Sequence, residues 1–162
     1  MSSARTPKRR RSARVIARGS RVFLRTPTRG DQAEFLALRR ASWSFLAPWE
    51  AEVEGLDALG PERFARFLRR GPRHRRERWL VCRSSDGALA GSISLSQIES
   101  GAAGHATLGY WIGAPFARRG YMSEALSLAL AHVFRRLELA RVDAYVLPEN
   151  TASKGLLAKL GF

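Results

Sequence analysis

The sequence contains one cysteine, and only three of its 28 basic residues are lysines. A single cysteine excludes an internal disulfide and suits a reducing compartment, so we expect a cytoplasmic protein. Cys82 stands in the strand-like segment WLVC, where we expect a small buried side chain and not a nucleophile. The three histidines lack the spacing of metal ligands, and no metal site is expected.

Long apolar runs are also missing. No segment approaches the ~20 apolar residues that a membrane-spanning helix needs. The start of the chain has no apolar stretch of the kind found in secretory signals. We therefore expect no membrane partner. The 162 residues, 45% of them hydrophobic, suffice for one domain with a buried core.

Acidic residues are absent before Asp31. Eight cations fall within residues 1–21, and without them the net charge drops from +14 to +6. This composition predicts a basic, disordered tail over residues 1–20 and a domain over residues 21–162. Contact of the tail with RNA or a ribosome is the functional alternative. A mitochondrial transit peptide is disfavoured because arginine outnumbers lysine throughout the chain.

Hydrophobic periodicity and turn residues predict an α/β fold with a mixed sheet. Strands are predicted at residues 21–25, 78–82, 88–97, 106–112 and 141–146. Helices are predicted at residues 32–40, from Pro61 to the Gly-Pro pair at 71–72, after Gly120, and from residue 151 onward. Residues 42–60 have the composition of a loop.

The segment LGYWIGAPFARRGYMSEALSLAL joins an apolar strand to a helix through a basic turn. Arg118, Arg119 and Gly120 at a helix entrance suit a phosphate, because free N–H groups and the positive end of the helix dipole face the anion. Gly120 allows close approach of the backbone to a ligand. An ordinary surface loop is the alternative interpretation. The apolar face of the helix is predicted to comprise Leu126, Leu130, Val133, Phe134 and Leu137.

A second motif, the strand RVDAYV followed by LPEN and the helix TASKGLLAKLGF, makes the pattern more specific. Together with GSISLSQI, LGYWI, RRGYMSEAL and SFLAPWE, it resembles the GNAT family of acetyl-CoA-dependent N-acetyltransferases, and within it the Rim-type ribosomal-protein alanine N-acetyltransferases. The resemblance covers residues 21–162. It implies a mixed, mostly antiparallel twisted sheet flanked by helices. Two departures are expected to matter: Ala117 replaces a Gln or Arg of the phosphate loop, and the two strands that follow the position of Phe162 in the family are missing here.

The resemblance implies a site for acetyl-CoA, with the pyrophosphate on the backbone amides of residues 118–123 and the pantetheine arm in a V-shaped gap between strands 106–112 and 141–146. An amide near Trp111 or Ile112 would stabilise the carbonyl oxygen of the thioester. The expected cofactor-binding residues are Trp111, Ile112, Arg118, Arg119, Gly120, Tyr121, Met122, Ser123, Asn150 and Ser153.

The expected catalytic residues are Ser153, Glu50 and Tyr110. The resemblance implies that Asn150 binds pantetheine and that the Ser153 hydroxyl steadies or protonates the leaving thiolate, while helix capping is the alternative role for both residues. Glu50 is the first candidate for the general base, followed by Glu52 and Tyr110. The acidic run that begins at Glu50 is alternatively a solvated loop or an attractant for a cationic substrate.

The implied reaction is direct acetyl transfer to an amine, most readily the N-terminal α-amine of a ribosomal protein. An α-amine titrates near ~7.7–8.0, so it needs only a weak base. Acetylation of a small polyamine or aminoglycoside is one alternative. A basic RNA- or ribosome-associated module without catalysis is another, because residues 63–78 contain eight arginines.

Overall fold

The computed structural model describes residues 12–50, 54–69, 76–101 and 103–162. Its strands are β1 (Val15–Arg18), β2 (Val22–Arg25), β3 (Glu77–Arg83), β4 (Leu89–Glu99), β5 (His105–Ile112) and β6 (Arg141–Ala144). Its α-helices are α1 (Gln32–Ala41), α2 (Trp43–Leu46), α3 (Pro61–Leu68), α4 (Tyr121–Arg136) and α5 (Thr151–Lys159).

The six strands form one sheet in the order β1-β2-β3-β4-β5-β6. Neighbouring strands are antiparallel except β5 and β6, which are parallel. The parallel pair follows from α4, which carries the chain back to the end of the sheet where β5 began. The prediction of a mixed, mostly antiparallel sheet is confirmed.

Helices cover both faces of the sheet. Because side chains alternate along a strand, neighbours in β3 point to opposite faces. Trp79 and Val81 belong to the larger core, which α4 covers. Leu80 and Cys82 belong to a second core with Phe35 of α1 and Phe64 of α3. The buried position of Cys82 agrees with its expected role as a core side chain.

The first strand corrects the predicted tail. Val15–Arg18 pairs with β2, from Val15 opposite Arg25 to Arg18 opposite Phe23, within the segment predicted to be disordered. Ile16 packs against the larger core, and the Arg18 guanidinium lies 5.2 Å from the centre of the Phe23 ring. The prediction missed this strand because arginines surround its two large apolar residues, Val15 and Ile16. Residues 1–11 lie outside the described residues.

The buried face of α4 also differs from the predicted one. Its buried residues are Met122, Ala125, Leu126, Ala129 and Val133, whereas Phe134 is 46% exposed. Leu126 and Val133 are buried as predicted. The prediction was wrong for Phe134 and missed Ala125 and Ala129, because it followed only the larger apolar side chains. Two further corrections concern α2, which lies in the predicted loop, and β6, which ends at Ala144, two residues before the predicted end.

Candidate active site

The sheet splits between β5 and β6. The two strands pair from His105 opposite Arg141 to Leu108 opposite Ala144, and the pairing stops there. Beyond this point residues 109–112 remain paired with β4 on their other side. The backbone edge of β5 that faces away from β4 is therefore open over four residues, as expected for the V-shaped gap.

Two of the predicted catalytic residues meet at this split. The Tyr110 and Ser153 hydroxyl oxygens are 2.6 Å apart and share a hydrogen bond in which either can donate. Tyr110 lies on the α4 face of the sheet, and Ser153 is in the first turn of α5. Burial raises the pKa of the Tyr110 phenol, and the bond with Ser153 offsets this only in part. At neutral pH the pair therefore holds protons that it can donate.

Asn150 fixes the position of Ser153. It is the N-cap of α5, and its Oδ1 accepts a hydrogen bond from the Ser153 N–H at 3.0 Å. The capping role that the sequence left open is thus present. The cap orients the first turn of α5 so that the Ser153 hydroxyl faces Tyr110.

The basic turn before α4 presents unpaired N–H groups, as predicted. Arg118 and Gly120 have left-handed backbones, with φ of 59° and 78°, and the intervening turn leads directly into the helix. Within the described part of the chain, none of the N–H groups of residues 118–123 donates to another group of the protein. Six amides without a partner at the positive end of a 16-residue helix favour an anion.

Gly120 is required by its own backbone as well as by any ligand. A left-handed φ strains residues that carry a Cβ. A Cβ at Gly120 would also lie 2.7 Å from Nη1 of Arg21. The glycine therefore makes room for a guanidinium that supports the turn from behind.

Arg21 is a site residue that the sequence did not reveal. Its Nη1 donates to the Arg119 carbonyl oxygen at 2.8 Å, and its backbone N–H donates to the Glu124 carboxylate at 3.0 Å. The Ser20 hydroxyl donates to the same carboxylate. The turn between β1 and β2 is thereby fastened to the start of α4. No local pattern could have found these contacts, because they join residues about a hundred positions apart.

Glu50, the first candidate for the base, lies among arginines on the other face of the sheet. Its carboxylate accepts from Arg39 Nη2 at 2.7 Å and from Arg63 Nη2 at 2.9 Å. These partners belong to α1 and α3, whereas Tyr110 lies on the α4 face. Glu52, the next candidate, lies outside the described residues. The structure thus brings Tyr110 and Ser153 together and engages Glu50 elsewhere.

The Trp111 side chain also lies on the α1 and α3 face. Its ring meets Phe35 edge-on at 5.3 Å between centres, and the Arg39 guanidinium is stacked 5.0 Å from it. The Gly113 N–H donates to the Ala90 carbonyl oxygen of β4, so the alternation along β5 turns the backbone groups of Trp111 toward β4 and those of Ile112 toward the open edge. Of the two amides expected near the thioester, only that of Ile112 faces the gap.

Among the described residues there is neither a cluster of metal ligands nor a membrane-spanning helix. No group of three or more His, Cys, Asp or Glu side chains in these ranges is placed to bind a metal ion. None of the helices in the same ranges is both long and apolar enough to span a membrane.

Comparison with known proteins places this geometry in a family. The family model described as "Acetyltransferase (GNAT) domain" matches residues 21–162. Among solved structures, Mycobacterium smegmatis RimJ in complex with CoA-disulfide superposes with a TM-score of 0.78 at 28% identity, over 87% of this chain and 69% of that one.

Curated relatives match about half of the chain. "Probable N-acetyltransferase YjcK" of Bacillus subtilis is 39% identical over 79 residues, 49% of this chain and 44% of the relative. The [ribosomal protein uS5]-alanine N-acetyltransferase of Escherichia coli is 35% identical over 74 residues, 46% of this chain and 38% of the relative. The matched segment thus spans less than half the length of these relatives. Because the family model covers nearly all of the sheet and both site motifs, the chain belongs to the acetyltransferase (GNAT) domain family.

Proposed function

We propose that this domain transfers the acetyl group of acetyl-CoA directly to the N-terminal α-amine of a protein. The observation that carries the proposal is the hydrogen bond between Tyr110 and Ser153 at the split of the sheet. It places a donor of protons where β5 offers an open backbone edge. The finer proposal for the acceptor is a ribosomal protein, supported by the similarity to the uS5-alanine acetyltransferase and to RimJ.

The basic turn fits the pyrophosphate of acetyl-CoA. Six free N–H groups, the dipole of α4 and the side chains of Arg118 and Arg119 all favour an anion there. The Arg21 guanidinium adds a further charge behind the turn. Residues 118–123, which include Tyr121, Met122 and Ser123, would hold the pyrophosphate through their backbones, so that Ala117 is no obstacle.

The open edge of β5 fits the pantetheine arm. Its amides can pair with the extended arm along residues 109–112, and the backbone N–H of Ile112 would stabilise the carbonyl oxygen as negative charge develops. Asn150 would contact the arm from the opposite side of the split while it caps α5.

Acetyl-CoA supplies an activated thioester when it is bound. The acceptor nitrogen attacks the carbonyl carbon, the carbon–sulfur bond breaks, and the leaving sulfur takes a proton. Ser153 is the donor in our proposal, and Tyr110 returns a proton to Ser153 through their 2.6 Å bond. Tyr110 then regains its proton from solvent, which receives the proton that the amine releases. The raised pKa of Tyr110 keeps this donor protonated at neutral pH.

The amine loses its proton to solvent in this scheme. Roughly a tenth or more of an α-amine is already neutral near pH 7, so a dedicated base adds little. Both carboxylate oxygens of Glu50 are engaged by guanidinium groups. Its predicted role as the base remains a prediction, and a Glu50→Gln variant that kept its rate at alkaline pH would reject it.

The proposal can be tested in two steps. Calorimetry should detect binding of acetyl-CoA to the 162-residue chain, and release of free CoA thiol should follow when a peptide with N-terminal alanine is added. The same peptide with a blocked N-terminus is the matched control. Release with spermidine or an aminoglycoside, but not with the free peptide, would replace this proposal by the small-amine alternative.

A further inference from the structure

Three arginines lie on the α1 and α3 face, and two of them bond the same carboxylate. Arg39 and Arg63 both bond Glu50. Arg78 of β3 stacks on Phe67, with its guanidinium carbon 5.8 Å from the ring centre. The Arg39 side chain is fully buried. Arg39 and Arg63 set two positive charges against the carboxylate of Glu50, and Arg78 adds a third positive charge on the same face, where Trp111 and Phe67 pack against the guanidinium groups.

Several donors of this group are buried without an acceptor. Among the described residues, Arg39 Nε and Nη1 and Arg78 Nε have no hydrogen-bond partner. Burial lowers the pKa of both Arg39 and Arg78, and neighbouring guanidinium groups lower it further. A buried charged donor left unpaired is costly, and residues perturbed in this way concentrate at sites that bind a ligand. The missing complement is an anion.

The register of the sheet places Arg78 on the face of β5 that is opposite to the Tyr110 side chain, so the split borders these donors on its second side. Arg78 lies opposite Ser94 of β4, and Ser94 lies opposite Gly109 of β5, so all three share one face. Ser94 and Gly109 are only half-buried. Two strand spacings separate Arg78 from Gly109, or about 10 Å. Gly109 directly precedes Tyr110, and Arg39 stacks on the next residue, Trp111.

An acceptor chain that leaves the split along this half-exposed strip reaches Arg78 within a few residues. An extended peptide advances about 3.3 Å per residue, so about 10 Å corresponds to its third or fourth residue. A carboxylate there meets planar guanidinium groups, which bind it through two parallel hydrogen bonds. A polyamine or aminoglycoside, by contrast, would place positive charge against positive charge.

We propose that Arg63 and Arg78, whose positive charge the buried Arg39 reinforces, bind the carboxylate of an acidic side chain within the first four residues of the acceptor. This domain would therefore select proteins with acidic N-terminal segments. The inference rests on the proposed function, because it assigns a specificity to the same site.

Paired peptides test the preference. One begins with alanine and carries aspartate at positions three and four, and its match carries asparagine at both. With CoA present in place of acetyl-CoA, so that no transfer occurs, calorimetry should show at least tenfold tighter binding of the aspartate peptide, about 1.4 kcal/mol. Equal affinities, or no binding of either peptide while CoA binds, would overturn the inference.

Variants connect the preference to the arginines. Arg78→Gln should remove most of the difference between the two peptides, and Arg78→Lys, which keeps the charge, should retain part of it. Arg66→Gln is the control, since Arg66 is an exposed arginine on α3. A full preference in folded R78Q would show that the acid binds elsewhere. Acetyl transfer to both peptides at equal rates would reject the inference and leave the proposed function standing, whereas failure to bind CoA would reject the proposed function itself.

Discussion

Two hydroxyl groups 43 positions apart form the chemical centre of the site. Asn150 orients the first turn of α5, and burial keeps the Tyr110 phenol protonated. In the proposed reaction Ser153 donates one proton and Tyr110 replaces it. Removing either hydroxyl should therefore affect the chemical step more than the binding of the cofactor.

Ser153→Ala should lower kcat about 10²-fold with little change in KM for acetyl-CoA, because a proton delivered to the thiolate acts in the transition state. Steady-state kinetics on an alanine peptide measures the split. Thr151→Ala, at an exposed position on the same helix, is the control. A variant that loses thermal stability while keeping kcat would assign Ser153 a structural role only.

The titration of Tyr110 tests the burial of its phenol. Its folded pKa is raised above the ordinary value of 10.0. Unfolded tyrosine therefore ionises first, and the stability that this group contributes is present below about pH 10 and lost as pH rises through the folded pKa. Absorbance near the phenolate band should show one of the three tyrosines ionising late. Tyr110→Phe should abolish that late step, and its persistence in the variant would exclude Tyr110.

At the scale of elements, the turn between β1 and β2 is fastened to the basic turn before α4, which we propose binds the pyrophosphate. Arg21 holds the Arg119 carbonyl, and Glu124 accepts from Ser20 and from the Arg21 backbone. Strand β1, which precedes this turn, thus helps to shape the candidate site, although three strands separate β1 from β5 in the sheet.

Arg21→Met should weaken acetyl-CoA binding about fivefold, or ~1 kcal/mol, because the Arg119 carbonyl loses its donor and the turn loses a nearby charge. Calorimetry measures the effect. Arg135→Met, an exposed arginine at the other end of α4, should bind normally. Identical affinity in R21M and the unaltered chain would confine the site to residues 118–123.

Local sequence patterns predicted the strands and helices that carry these contacts. The order of those elements along the chain predicted which of them would be neighbours. The strand–turn–helix of residues 108–130 and the cap at Asn150 depend on residues close together in the sequence, so hydrophobic periodicity and capping preferences predicted them. The partners of Glu50 and of Arg21 could not be predicted in this way. They depend on which charged side chains the completed sheet brings together, and in a chain with 28 basic residues any acid has many possible partners.

The whole chain carries a net charge of +14. The basic beginning of the chain divides into two parts with different consequences. Residues 1–11 lie outside the described residues, whereas β1 pairs with β2 and brings Ile16 onto the core. We propose that residues 1–11 serve electrostatic contact with a ribosome, and β1 serves the fold.

Deletion of residues 1–11 should leave the free energy of unfolding unchanged and flatten the salt dependence of ribosome association. Deletion of residues 1–19 should cost about 2 kcal/mol as well, because Ile16 leaves the core. Urea unfolding and co-sedimentation at several salt concentrations separate the two effects. Equal stability of both deletions would contradict a structural role for β1, and an unchanged salt dependence would exclude the first eleven residues from the contact.

The split between β5 and β6 also gives the protein a built-in optical reporter. Tyr110 of β5 and Ser153 of α5 are joined where the two strands have separated, so a molecule entering between these residues must share or break their hydrogen bond. The near-ultraviolet absorption of a phenol depends on its hydrogen bonding, and the adjacent Trp111 is stacked with a cation. Entry of a ligand should therefore appear as a difference spectrum in the unlabelled chain, and Tyr110→Phe should silence its tyrosine component.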